Sequence, residues 1–122
     1  MTRQDKSHES ANPPVTEMRS ALARRIAAHA ATPGEHQTAI ARLSLFRRTA
    51  PSPCYRATYE PSLTVFVQGR KLVNLGGTEY LCDGSSFLVS SIDVPVQSQI
   101  VEASQAVPLL SLFLRLDMPA VR

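Results

Sequence analysis

The chain has 122 residues, a net charge of +3, 43% hydrophobic residues and no tryptophan. That is length for one domain, which at this size buries roughly two thirds of the surface its unfolded chain exposes. The longest apolar run, around Ala106 to Leu110, is far short of the ~20 residues of a membrane-spanning helix, and the polar start MTRQDKSHESANPP lacks the apolar segment of a secretory signal.

A cytoplasmic location is therefore expected, with no membrane partner. Cys54 and Cys82 are too few for a disulfide framework and read as buried free thiols. Cations from Arg3 to Arg48 crowd the N-terminal part. They suit a solvated helix face and arm better than a phosphate-binding surface.

Residues 1–14 form a polar, proline-ended arm, expected to be disordered in isolation. Thr16 suits the N-cap of a helix running to about Ala31. Met18, Leu22, Ile26 and Ala30, with Ala21 alongside, make its apolar stripe, and Arg25 and His29 fall close to it. Pro33-Gly34 stops the helix.

From Leu43 the period becomes two. Leu43, Leu45 and Arg47 alternate with Ser44, Phe46 and Arg48 in a first strand. Pro51 and Pro53 break the chain before a strand from Tyr55 to Tyr59. After Pro61, Ser62 to Gln68 carries Leu63, Val65 and Val67 on one face and Thr64, Phe66 and Gln68 on the other. Gln68-Gly69 reads as a tight turn into a partner strand, Arg70 to Leu75. Gly76-Gly77 supplies the positive φ angles of a two-residue hairpin into Thr78 to Cys82, and Asp83-Gly84 is a second hairpin signal. Phe87 to Ser91 and, after an Ile92-Asp93 corner, Val94 to Val101 follow. Leu110, Leu112, Leu114 and Leu116 read as the inward row of a last strand. Gly69, Gly77 and Gly84 are expected where a Cβ would be resisted, and Pro61 and Pro95 at strand starts or bends. Evenly spaced short strands with such turns indicate a mainly β, antiparallel barrel or sandwich.

Tyr59-Glu60-Pro61-Ser62-Leu63, then Val67-Gln68-Gly69-Arg70-Lys71, then Ser90-Ser91-Ile92-Asp93-Val94-Pro95-Val96 stand in this order. With Glu102-Ala103-Ser104, Leu112-Phe113-Leu114-Arg115-Leu116-Asp117 and the upstream Leu43-Ser44-Leu45-Phe46-Arg47-Arg48, they resemble the N-terminal domain of AraC-type bacterial transcription regulators from about Thr16 to Asp117. The resemblance implies a cupin-like antiparallel β barrel with a helical N-terminal extension over residues 15–122, serving effector binding and dimerisation. Complete members add a C-terminal pair of helix-turn-helix motifs. The present sequence stops at Arg122 without them, so it reads as a sensor domain truncated before its DNA-binding half. Its expected partners are an unidentified small-molecule effector and a second copy or a full-length regulator, the latter in a mixed dimer. No direct DNA contact is expected. A standalone, non-enzymatic ligand-binding barrel and a non-functional gene fragment are the alternatives.

Residue types argue against catalysis. A metal-dependent barrel enzyme needs histidines on its strands, yet His8, His29 and His36 all precede Leu43. Two cysteines cannot complete a four-ligand zinc site. Serines such as Ser85, Ser86, Ser90 and Ser91 have no later histidine as a base, and no GxSxG elbow occurs. Leu75-Gly76-Gly77-Thr78 lacks the lysine of a phosphate loop. The chain reads as a non-enzyme without cofactor or metal. A helix-turn-helix can be drawn through Thr32-Pro33-Gly34, but the strand-like alternation of Leu43 to Arg48 and the family resemblance weigh against it.

Binding is what remains. A small β barrel can hold one ligand among apolar side chains and a few polar ones. Candidate lining residues are Tyr55, Thr64, Phe66, Gln68, Tyr80, Gln97 and Phe113. Phe66 and Phe113 would serve equally as plain core, and Gln68 as the top of a hairpin. Arg70 and Lys71 are expected to face solvent.

Overall fold

The computed structural model describes residues 2–6 and 13–116. His8, residues 7–12 of the arm and Asp117 lie outside the described residues. The chain is mainly β. The elements are β1 (Thr2–Lys6), α1 (Pro13–His29), β2 (Gly34–Gln37), β3 (Leu43–Arg48), β4 (Tyr55–Tyr59), β5 (Ser62–Gln68), β6 (Arg70–Leu75), β7 (Thr78–Cys82), β8 (Ser86–Ser90), β9 (Val94–Glu102) and β10 (Leu109–Arg115).

Two antiparallel sheets result. One has the order β1-β8-β5-β10-β3-β2, the other β4-β9-β6-β7. From β3 onward the chain crosses between sheets at every connection except β6 to β7. That pair is the hairpin the two glycines foretell: Gly76 and Gly77 hold φ of 57° and 89°, and Leu75 faces Thr78 across the turn. The other two turn signals mark crossings instead. Gly69 carries the chain from β5 in the larger sheet to β6 in the smaller, so these strands are not partners. Asp83-Gly84 takes it back to β8, and the Asp83 carboxylate accepts bonds from the Ser85 amide (2.9 Å) and hydroxyl (2.6 Å). Gly84 is not in the left-handed region. It is needed because a Cβ there would meet the Val67 carbonyl oxygen at 2.7 Å.

Two strands come from segments where the sequence suggests none. Thr2–Lys6 of the arm pairs with β8, from Thr2 opposite Ser90 to Lys6 opposite Ser86. Gly34–Gln37 pairs with β3. Helix α1 starts at Pro13, ahead of Thr16; proline suits a first helical turn, where its missing N–H costs nothing.

Two apolar clusters hold the layers. Between the sheets, Phe66, Leu88 and Leu109 meet Val73, Leu75, Cys82, Val96 and Ile100. Outside the larger sheet, Ala23 and Ile26 of α1 and Ala30 just after it pack on Leu45, Val67 and Leu110. The β10 leucine row therefore opens outward, with Leu110 and Leu112 beneath the helix, while Leu109, Ser111 and Phe113 turn toward the other sheet. The helix stripe differs too, because Met18 is 70% exposed whereas Ala23 and Ile26 are buried against the sheet. Cys82 is buried but Cys54 is exposed, and both are free thiols.

Candidate functional site

Strand alternation aims one row of each strand at the space between the sheets. At one end that space is not filled. A cavity of about 270 Å³ remains there, with Phe46 and Arg48 of β3, Thr64 and Phe66 of β5, and Leu109, Ser111, Phe113 and Arg115 of β10 on one wall. Tyr55, Ala57, Thr58 and Tyr59 of β4, Lys71 of β6, Ile100 of β9 and the following-turn residue Glu60 complete the lining. Five of the seven aromatic residues of the chain (four Phe, three Tyr) are in this list.

Those rings have defined contacts. Phe66 is 2% exposed and forms the buried floor. Phe46 and Phe113 meet edge to face, with centroids 5.9 Å apart and planes at 86°, a favoured aromatic geometry. A bulge in the β5–β10 pairing, between Leu110 and Ser111, brings Ser111 opposite Phe66 and so keeps Ser111 and Phe113 on the inner side.

Three cations stand among them. Arg115 lies over the Phe113 ring (5.1 Å) and pairs with Glu60 (3.4 Å) and Glu35 (3.5 Å). Arg48 lies over the Phe46 ring at 5.3 Å and donates to the Arg47 carbonyl. Lys71 sits 5.7 Å from the centroids of both Tyr55 and Tyr59 and donates to the Tyr59 hydroxyl at 3.2 Å. Among the described residues, neither Arg48 nor Lys71 has a carboxylate partner. Burial pulls the Lys71 ammonium down, but the oxygens of Tyr59 and Tyr55 push it up by more, so it lies above its ordinary 10.5.

Of the residues expected from sequence, the fold brings Tyr55, Thr64, Phe66 and Phe113 together here. Tyr80 packs against the core between the sheets, outside the cavity lining. Gln97 is exposed on the outer side of β9, in a shallower hollow of about 590 Å³ shared with Arg56, Thr58 and Asn74. Gln68 donates to the Pro108 carbonyl (2.9 Å) and borders a hollow beside α1. Arg70 is exposed and pairs with Glu102 at 3.5 Å. Lys71, expected to face solvent, faces inward, opposite Ile100 past a bulge that follows Arg70. Period two carries the missing signal, since Lys71 shares a face with the buried Val73 and Leu75. Ten further lining residues, among them Phe46, Arg48, Tyr59, Ser111 and Arg115, are ones that sequence reasoning did not name.

Among the described residues no three His, Cys, Asp or Glu side chains group as metal ligands. His29 is exposed and His36 half-buried, and they donate to the carbonyls of Arg25 (2.9 Å) and Thr32 (2.6 Å).

Residues 39–122 match the family of the AraC-type transcriptional regulator N-terminus. The chain belongs to that family. The match takes in β3 to β10 and every residue that lines the cavity, whereas α1 and β2 precede it. Among curated proteins, none matches the chain. No helix of the described residues is long and apolar enough to cross a membrane.

Proposed function

We propose that this AraC-type regulator N-terminal domain is the effector-sensing part of a cytoplasmic regulator, and that a small molecule binds in the cavity between its sheets. One observation carries the reading: five of seven aromatic residues and three cations surround a space that the core leaves unfilled. A packed interior normally leaves few voids larger than a water molecule. Large rings set around a hollow rather than filling it fit a site built for a guest.

The domain acts by binding, without a reaction of its own. We read its pair of facing sheets as cupin-like. A guest touching Phe66 and Ile100 contacts both sheets at once, so it favours the arrangement in which their spacing suits it. A signal follows only if the guest binds one arrangement of the regulator better than another. Pairing with a second copy or with a full-length regulator would pass that preference on. DNA reading falls to other parts of such a regulator, because the single helix of the described residues spends its inner face on the sheet.

The test is nuclear magnetic resonance of the ¹⁵N-labelled chain against a panel of small organic acids, amides, sugars and aldehydes. A binder shifts the amides of Thr64, Phe66, Lys71 and Ser111 together. Shifts confined to Asn74 and Gln97 would move the site to the outer hollow and defeat the proposal.

A further inference from the structure

The charges around the cavity narrow what it accepts. This inference rests on the cavity being the effector site. We propose that its ligand is a small organic carboxylate with an apolar, ring-sized body, whose carboxylate is held by Lys71 and Arg48.

Three cations face the single carboxylate of Glu60 in the lining, and that carboxylate is taken by Arg115. Lys71 and Arg48 remain half-buried with no anionic partner among the described residues. Withdrawing a cation from water without a counter-charge is costly, and a charge inside the site repays it. Both retain donors for an anion. The ammonium of Lys71 has three N–H groups, one of them on Tyr59. The guanidinium of Arg48 has five, one of them on the Arg47 carbonyl.

The rest of the lining describes the remainder of the ligand. Phe46, Phe66, Phe113, Leu109 and Ile100 offer an apolar chamber, and the neutral polar groups are hydroxyls at Thr58, Thr64, Ser111 and the two tyrosines. No Asn or Gln lines it. A neutral sugar there would leave Lys71 and Arg48 without a counter-charge, whereas a small acid supplies one. The volume of about 270 Å³ also restricts the guest to a small molecule.

The experiment titrates the full chain with cinnamate, octanoate, their neutral amides cinnamamide and octanamide, and phenyl phosphate, following the amide resonances of the cavity strands. The expected result is binding of at least one acid, with its amide weaker by about tenfold or more, as loss of a charge-assisted contact implies. Lys71→Met and Arg48→Met should each weaken the acid about tenfold and leave the amide unchanged, while Arg70→Met changes neither. An amide that binds as tightly as its acid overturns the anion inference and leaves the cavity as a site. Phenyl phosphate binding more tightly than both carboxylates overturns the choice of carboxylate. If no probe moves the cavity resonances, the effector-site reading falls along with the inference. The wild-type comparison of acid with amide needs no variant to fold.

Discussion

Gly69 and Gly76 both hold left-handed backbone, at φ +82° and +57°, but only one is hemmed in. An added Cβ at Gly76 would stand in open space, whereas at Gly69 it would meet the Leu109 Cα at 2.7 Å and the Glu102 carbonyl oxygen at 2.9 Å. Gly76→Ala should therefore cost about 1–2 kcal/mol, the conformational penalty alone. Gly69→Ala adds a clash with backbone at the point where the chain changes sheets and should cost clearly more. Urea denaturation of both variants measures the difference, and equal costs would mean that the crossing at Gly69 is looser than described. The same scale shows why Lys71 escaped a reading of the sequence. A lysine next to a glycine turn ordinarily faces water, an expectation that masked its period-two face; the crossing between sheets, with its bulge after Arg70, seats it between two tyrosines.

At the scale of elements, strand positions were legible and strand faces were not. The bounds of β4, β5, β6 and β7 agree with the sequence reading residue for residue, because proline or glycine punctuates them and period two runs between. The face is ambiguous where both sides are covered. The larger sheet has the smaller sheet on one side and α1 on the other, so β5 and β10 carry apolar residues on each side and alternation cannot say which is inner. The leucines of β10 looked like the inner row for that reason. β2, with the sequence GEHQ, has no apolar alternation, and β1 is defined by a partner far along the chain. Helix α1 provides a direct check of which side of it matters. Ile26 is 3% exposed against Leu45, Val67 and Leu110, and Met18 is 70% exposed. Ile26→Ala should cost about 2–5 kcal/mol and Met18→Ala close to nothing. Comparable losses in thermal unfolding would show that the whole helix length is held against protein.

For the whole molecule, the family and the cavity point the same way. The match to the AraC-type regulator N-terminus spans the strands that build the hollow, and within it the aromatic residues gather at one end instead of being spread through the core. Four of the fifteen residues lining the hollow, Tyr55, Thr64, Phe66 and Phe113, could be named from sequence. The rest depends on which strands face each other across the sandwich, a relation set by crossings that no local pattern records. The central claim is that this hollow is the place where a small molecule binds. Ser111 is 6% exposed, on the cavity wall opposite Phe66 in the strand register, and a large ring there would fill the space at a cost of about 1–3 kcal/mol in strain. The most direct measurement is thermal stabilisation by any binder from the panel, compared between the native chain, Ser111→Phe and Gln97→Ala. The account predicts that stabilisation disappears in Ser111→Phe and persists in Gln97→Ala. Stabilisation that survives Ser111→Phe and is lost in Gln97→Ala would contradict it and place the binding site on the outer face of β9.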